Sequence, residues 1–394
     1  MSSAAGQPSA KAKPPRRHHL YLVFDDWSRG YSIRKVSLSR SYGRHQQPAA
    51  VSGQEEEARS EAPVRPVGHR LPPPLVRMVA PRSAPKYFVS AFGSRILAMH
   101  PPEDSVDLGD GSSESYFPMF GVRSRGITFG PWKQQGDHPW MIDAPIYLPV
   151  GKKLFSLSTA SFEMLCLGHI IYPSASYCSM DRSLQWSWEQ LPRQPFKVDD
   201  VASYTLHAVK LTFLVSTKAD AAAATFSFDT KALSWKLLGN WALPFAGRGH
   251  FVPHLKAFVG LSKDPDTLGQ ICSCDVPSFD AGDGQCPAPV ARVCDEKLFS
   301  DKPAERHVSA TLVDMRCEGE FCLVECVSVA DQALIEEGDV RLPGRCFYRV
   351  ATFFLTHGMN GDLMTRKSRQ VQYYEVPEAT SKLFLAEDPV AFWM

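Results

Sequence analysis

The sequence predicts an all-β protein, and three observations lead to this prediction. Short runs in which apolar and polar residues alternate recur along the chain, separated by turn residues. Proline occurs 31 times and glycine 26 times among the 394 residues, which interrupts the chain too often for long helices. Similar segments also return every 47 to 59 residues, which is enough for four short strands and their turns. Short helices are expected only near 378–384 and 162–166.

The domain organisation follows from changes in composition along the chain. Residues 1–19 are rich in serine, alanine, proline and basic residues, so we predict a disordered basic tail. Its basic residues between 11 and 17 fit a solvated tail, with a nuclear address as the alternative. Residues 20–394 are predicted to form a single domain. Within it, 41–66 is polar and poor in aromatic residues, which indicates a flexible insertion.

The first element of this domain is a predicted hairpin, with strands at 20–24 and 31–38. Five later segments share one design, which is a strand, a turn and a second strand. They start at residues 88, 147, 203, 250 and 307. Three of them are followed by a further strand that carries tryptophan, at Trp132, at Trp186 and Trp188, and at Trp235. The stretch 225–245 around Trp235 is also echoed at 184–196, which supports a true repeat.

Repetition of this kind predicts a ring of sheets, because a four-stranded sheet needs neighbours to cover both of its faces. Five units and the leading hairpin predict a β-propeller with six blades of four antiparallel strands, and seven blades is the alternative. The strands at 347–355 and 369–376 then need partners. We expect one to complete the fifth unit and the other to join the Leu20 hairpin and close the ring.

Charge and hydropathy exclude several classes of function. Lys and Arg total 43 against 42 Asp and Glu, a balance that argues against a nucleic-acid-binding protein. No apolar run is long enough for a transmembrane helix, and the first residues lack the apolar segment of a secretory signal. We therefore expect a monomer in the cytoplasm or nucleus that is not secreted and contacts no membrane.

The ten cysteines are predicted to be reduced thiols packed inside the blades. Most lie late in the chain, including the pairs Cys272 with Cys274 and Cys322 with Cys326. Both pairs sit on runs that alternate like strands, whereas a zinc site requires paired CxxC-type spacings. Zinc binding is the alternative. No metal and no other cofactor is predicted.

Several short sequence segments together resemble those of a plant family that is expanded in the grasses. The family is known as a domain of unknown function. The segments lie at 20–27, 91–99, 226–230, 268–275, 306–312 and 321–326. Members of that family look like kelch-type propellers, and the resemblance runs from about Leu20 to Val376. It implies a kelch-like fold and a lineage. It implies no reaction, because the family carries no established catalytic motif.

Known catalytic patterns do not fit the sequence, so no catalytic residue is predicted. The nearest match to the Asp box of propeller glycosidases ends in Asp229 and Trp235, but its spacing is one residue too long. Asp229 is better interpreted as a turn residue that accepts hydrogen bonds from neighbouring backbone N–H groups. His250 and His254 are too far apart on one strand to share a metal ion. No phosphate-binding loop or nucleophile elbow occurs.

One polar group was singled out as a candidate partner-binding site. Arg248 with His250 and Arg306 with His307 stand at equivalent points before an inner strand, so on a ring they would share one face. The alternative is that they cap strand ends. The sequence thus favours a non-enzymatic module that binds a protein or peptide through its loop face. The alternatives are a carbohydrate- or small-molecule-processing enzyme that uses the central channel, and a copy that keeps only the fold.

Overall fold

The structure is a computed structural model. It describes residues 18–38, 68–101, 116–132, 145–167, 186–207, 209, 211–219, 222–262, 264–278, 286–316, 319–329, 344–366 and 370–394. These residues form 25 β-strands and one short α-helix, so the all-β prediction is confirmed. The predicted insertion at 41–66 and nearly all of the predicted tail lie outside the described residues.

The first sheet joins the two ends of the described chain. We call it unit 1, and its strands are β1 (Leu20–Trp27), β2 (Gly30–Val36), β3 (Val76–Val79) and β25 (Ala391–Trp393). The order across the sheet is β25-β1-β2-β3. Leu20 lies opposite Trp393. The N–H of His19 also donates to the carbonyl of Met394 at 2.8 Å. The last strand is therefore held by the first.

The next two units are antiparallel sheets whose strands follow chain order. Unit 2 contains β4 (Phe88–Ala91), β5 (Arg95–Ala98), β6 (Tyr116–Gly121) and β7 (Gly126–Pro131). Unit 3 contains β8 (Ile146–Val150), β9 (Lys153–Leu157), β10 (Phe162–Leu167) and β11 (Trp186–Gln190). Gly93 and Gly151 have φ of 86° and 59° in the turns between the first two strands, a conformation that glycine adopts at little cost.

Units 4 and 5 form one eight-stranded sheet. Unit 4 contains β12 (Val201–His207), β13 (Thr212–Ala219), β14 (Ala222–Asp229) and β15 (Ser234–Gly239). Unit 5 contains β16 (Gly247–Val252), β17 (Ala257–Leu261), β18 (Ile271–Asp275) and β19 (Ala291–Val293). The first strands of the two units, β12 and β16, pair in parallel and so join two antiparallel halves.

Unit 6 corrects the prediction of how the chain closes. It contains β20 (Glu305–Asp314), β21 (Glu320–Val329), β22 (Arg345–His357), β23 (Leu363–Thr365) and β24 (Gln370–Glu375). The 13 residues of β22 are long enough for β23 and β24 to pair along the same edge. Both predicted C-terminal strands are therefore used within unit 6. Strand β25, which the sequence analysis missed, joins β1 instead.

The five apolar clusters each lie between successive units. One packs unit 1 against both unit 2 and unit 6, with Phe24 beside Tyr348 at 5.0 Å between ring centroids. The others join units 2 and 3, units 3 and 4, units 4 and 5, and units 5 and 6. Between units 3 and 4, Phe213 meets both Phe155 and Phe162 edge to face. The described packing therefore passes from unit to unit and returns to unit 1.

Three further predictions are settled by local structure. The predicted helix at 162–166 is wrong, because these residues form β10, which pairs with β9 and β11. The other helix exists as α1 (Lys382–Ala386), whose first turn is capped by Ser381. Asp229 is confirmed as a turn residue, since its Oδ1 accepts from the N–H groups of Lys231 and Ala232 at 2.7 and 3.0 Å.

Candidate functional site

The first predicted pair, Arg248 and His250, lies on β16 beside the first strand of unit 4. Arg248 is exposed and aligned with Tyr204, while His250 is half-buried. The Nε2 of His250 donates to the carbonyl of Leu312 at 3.0 Å, and its ring meets Phe321 edge on at 5.8 Å. Burial, with a smaller contribution from the Arg248 guanidinium, lowers the pKa of His250 to about 3. His250 is therefore a neutral residue committed to the contact between units 5 and 6.

The second pair, Arg306 and His307, lies at the start of β20. Arg306 is exposed. His307 stacks on Phe299, with ring centroids 4.0 Å apart and planes at 13°, and its Nδ1 donates to Glu325 Oε1 at 3.0 Å. Leu312, which His250 contacts, comes five residues after His307 along the strand, or about 16 Å at the usual rise. The two predicted pairs therefore lie at different heights along the strand direction. Their role in partner binding stays a prediction.

Glu325 is the centre of a buried polar cluster in unit 6. Its side chain is fully buried in the middle of β21 and accepts from Arg349 Nη1 at 2.9 Å. The N–H of Ser300 donates to the same carboxylate, at 3.0 Å from Glu325 Oε2. Arg349 also donates to the carbonyl of Leu298 at 2.9 Å. The carboxylate thus holds the segment before β20 against the sheet.

A second carboxylate, Glu305, extends this cluster toward the surface. Its Oε2 accepts from the hydroxyl of Tyr373 at 3.0 Å and also from the Ser300 hydroxyl. Lys302 Nζ lies 3.2 Å from Glu305 Oε1 and 4.6 Å from the centroid of the Tyr373 ring. The charged groups of the cluster pair with one another. We interpret the cluster as an anchor for the 295–304 segment rather than as a reactive site.

A different feature, a groove between units 1 and 2, has the character of a binding surface. It contains a cavity of 510 Å³, within the usual range for binding pockets. We call it the unit 1–2 groove. Its walls include Arg29, Val79, Arg82, His100, Tyr116 and Pro118. These residues come from the turn between β1 and β2, the end of β3, the segment after β5, and β6.

The outer rim of the groove is apolar and exposed. Val79 on β3 is 58% exposed and Tyr116 on β6 is 55% exposed. Phe129 on β7 is 62% exposed and lies directly opposite Pro118, so both side chains are on the same face of the sheet. Apolar surface therefore continues from the cavity onto the outer strand of unit 2.

Two arginines carry positive charge beside this rim. The guanidinium groups of Arg29 and Arg77 lie 5.7 and 5.8 Å from the ring centroid of Trp27. Both arginines are exposed, and Arg77 shares a face of β3 with Val79 because the two residues are two positions apart. Arg82 is already hydrogen-bonded within the protein, since it donates at 2.6 Å to the carbonyls of Asp25 and Ala379.

The floor of the groove is rigid. The Tyr31 hydroxyl donates to the carbonyl of Pro81 at 2.6 Å and accepts from the N–H of Ala84 at 3.1 Å. The Nε2 of His100 donates to the carbonyl of Ala84 at 3.0 Å. Burial lowers the pKa of His100 to about 4, so the ring is neutral at ordinary pH. The cavity thus has a preformed base.

Sequence reasoning missed the groove for a specific reason. The residues 127–132 were assigned to an outer strand, and β7 confirms this. Alternation shows which face of a strand is apolar, but it does not show whether a neighbouring sheet covers that face. Phe120, on the same face as Pro118, is 1% exposed against unit 1, whereas Phe129 on the outer strand is left uncovered.

Three further features bear on the predictions. Within the described ranges, no group of three or more His, Cys, Asp or Glu side chains is arranged to hold a metal ion. No helix in the same part of the chain is long and apolar enough to cross a membrane. Six of the eight described cysteines are buried, and Cys166 and Cys346 are half-buried.

The fold is similar to several solved structures at low sequence identity. A protein from Lactobacillus plantarum has a TM-score of 0.42 and 9% identity over 96% of this chain and 99% of that one. TolB from Acinetobacter baumannii has a TM-score of 0.29 and 11% identity. That match covers 71% of this chain and 62% of TolB. The Cps50 (Swd1) β-propeller domain from Myceliophthora thermophila has a TM-score of 0.30 and 8% identity. That match covers 75% of this chain and 96% of the domain.

The sequence comparisons show which family the chain belongs to. A search of curated proteins found no match. One family model matches residues 17–374, which is most of the chain, and its description is a protein of unknown function. The match supports the resemblance to a domain of unknown function that the sequence segments indicated. The chain is therefore a member of the DUF1668 family.

Proposed function

We propose that this chain is a six-bladed, kelch-like β-propeller and that it acts as a non-enzymatic protein-interaction module. Each of the six units would be one blade. Two observations support the ring, namely the packing that returns from unit 6 to unit 1 and the pairing of β25 with β1. A ring of this kind leaves only short, protected strand edges and presents broad loop faces.

The strand order supports placing the candidate residues on one face of the ring. In an antiparallel unit, the first strand starts at the end where the second and third strands are connected. Arg248 and Arg306 lie near the starts of the first strands β16 and β20. The unit 1–2 groove opens at the turn between β1 and β2 and beside the connection between β5 and β6. In the proposed ring, all of them would point toward the same face, with Arg306 farther out along the strand direction than Arg248.

The observation that carries the proposed function is the exposed apolar rim around the groove. Val79, Tyr116 and Phe129 are each more than half exposed beside a preformed cavity. Contiguous exposed apolar surface rimmed by polar residues is typical of sites that bind a partner. Aromatic and arginine side chains, both present here, are enriched among the residues that contribute most to protein interfaces.

Proximity labelling with the full chain tests this proposal. Plant cells are the appropriate host, because the sequence segments resemble a plant family. Three versions should be compared: the wild type, a groove variant with Val79→Ser and Phe129→Ser, and a loop variant with Arg248→Ala and Arg306→Ala. All the substituted side chains are exposed, so the variants should keep the fold.

The proposal predicts one or more reproducible partners whose labelling falls in the groove variant, the loop variant or both. Absence of any partner that depends on either set of residues would contradict it. A metabolite or glycan that binds the purified chain in place of a protein would favour the channel-enzyme alternative.

A further inference from the structure

We propose that the unit 1–2 groove docks an acidic peptide segment that carries aromatic or aliphatic side chains and belongs to a partner protein. This inference rests on the proposed function, because it names the site and the chemistry of the partner. Three properties of the groove lead to it: an apolar rim, uncompensated positive charge and an elongated shape.

The apolar rim requires apolar side chains on the occupant. Val79 and Phe129 are 58% and 62% exposed, and Pro118 lies between the cavity and Phe129. Burying one such side chain against a partner contributes about 1.5–3 kcal/mol before the costs of association. A fully hydrophilic occupant would leave this gain unused.

The charge of the groove selects an acidic occupant. Among the described residues that line the cavity, the charged ones are Arg29 and Arg82, and none is a carboxylate. Arg82 is paired with buried Asp25, whereas Arg29 and Arg77 lie over the face of Trp27 and form no ion pair with another described residue. Two guanidinium groups held over one indole are ordered before binding, and guanidinium groups bind carboxylates through paired hydrogen bonds.

The shape favours an extended segment over a compact small molecule. The apolar surface does not end at the cavity but continues to Phe129 and to Ile127, which is 41% exposed, along β7. An extended peptide repeats every second side chain on one face, so it can place one anchor in the cavity and the next along β7. The carboxylates between its anchors would reach Arg29 and Arg77.

Selection from a displayed library of random twelve-residue peptides on the purified full chain tests the inference. The enriched peptides should be acidic and should contain aromatic or aliphatic residues. Their affinities are then measured by fluorescence polarisation for three variants of the chain. The test variants are Val79→Ser, Phe129→Ser and the double variant Arg29→Glu with Arg77→Glu.

Two of the three test variants have a matched control at another surface. Val290→Ser matches Val79→Ser, because Val290 is 59% exposed but lies before β19 in unit 5. Lys152→Glu with Lys231→Glu matches the arginine variant, because both lysines are exposed in turns of units 3 and 4. We expect each test variant to weaken binding about tenfold or more, and the controls to change it less than twofold.

Several outcomes would overturn the inference. If the enriched peptides bind the test variants as tightly as they bind the wild type, the peptides dock elsewhere. The proposed function would not be affected by that result. Neutral or basic peptides would contradict the charge argument. A dimer in light scattering that Phe129→Ser converts to a monomer would identify a second copy as the occupant.

Lack of any enrichment on the wild type would also overturn it. If enrichment then appeared after the acids of 102–115 were changed to Asn and Gln, this chain's own segment would be the occupant. That stretch contains five acids and no Lys or Arg. If partners are captured in cells while no peptide binds, the proposed function survives and only the inference fails.

Discussion

Asp25 and Ser381 are 356 residues apart in the sequence and are hydrogen-bonded twice. The Ser381 hydroxyl donates to Asp25 Oδ2 at 2.6 Å, and the Ser381 N–H donates to Oδ1 at 2.9 Å. Asp25 is fully buried and also accepts from the N–H of Ser83 at 3.2 Å. One carboxylate therefore ties the segment before β25 to unit 1, next to the pairing that closes the chain on itself.

We expect Asp25→Ala to lower the free energy of unfolding by about 3 kcal/mol, because it leaves several buried donors without their acceptor. Ser381→Ala should cost about 1–2 kcal/mol, since it removes one hydroxyl bond and the cap of α1. Urea unfolding measures both. Asp229→Ala, at an exposed turn, is the control, and an equal loss there would contradict the special role of Asp25.

The Glu325 cluster makes a second prediction about stability. Glu325→Ala should cost about 3–5 kcal/mol, because it leaves the buried guanidinium of Arg349 without its charge partner. The double variant with Arg349→Met should recover part of that loss, since no unpaired charge is then buried. Chemical denaturation of the two variants tests this. A double variant that is less stable than Glu325→Ala would show that the pair is not a local anchor.

His100 should make stability depend on pH. Its pKa is lowered to about 4 by burial, whereas the unfolded side chain titrates near about 6.5, so the unfolded state binds the extra proton between these values. Stability should therefore fall as pH drops through this window, by about 2 kcal/mol between pH 7.5 and 5. The variant His100→Gln should lack this contribution to the pH dependence of stability. Urea unfolding at a series of pH values measures this dependence. If the free energy of unfolding falls equally with pH in the wild type and in His100→Gln, the assignment to His100 is wrong.

Cys346 should be the most reactive of the described thiols at neutral pH. A hydrogen bond from the Cys326 thiol lowers the pKa of Cys346 below that of an ordinary thiol, whereas burial raises the pKa of Cys272 and Cys274. The rate of iodoacetamide labelling at Cys346, followed by mass spectrometry, should reach half its maximum at a lower pH than the labelling rate of an ordinary thiol. In Cys326→Ala the midpoint should move up toward about 8.5, the value of an ordinary thiol. An unchanged midpoint would exclude the hydrogen bond as the cause.

Local features of the fold could be predicted from the sequence because their signals are local. The turn at Asp229 needs only a short carboxylate and the backbone N–H groups two and three residues later. Strand β7, which ends just before Trp132, and strand β11, which carries Trp186 and Trp188, follow from alternation and turns. Strand β25 escaped prediction because it is three residues long, too short for alternation to be detected. Its position depends on pairing with β1 across the whole chain.

The candidate site could be predicted only in part, for similar reasons. Arg248 and Arg306 were identified from equivalent positions in the repeat, and both are exposed. The partner of His307 was not identified, because Glu325 lies in an apolar run and meets His307 only through the register of β20 and β21. The groove depends on how two sheets leave Phe129 uncovered, which no single strand encodes.

Hydrogen–deuterium exchange of the full chain, with and without its captured partner, tests most directly whether a protein docks between units 1 and 2. The account predicts slower exchange on binding in β3 and in β6 and β7, the strands that carry Val79, Tyr116 and Phe129. Protection confined to units 3 to 5, with these strands unchanged, would contradict it.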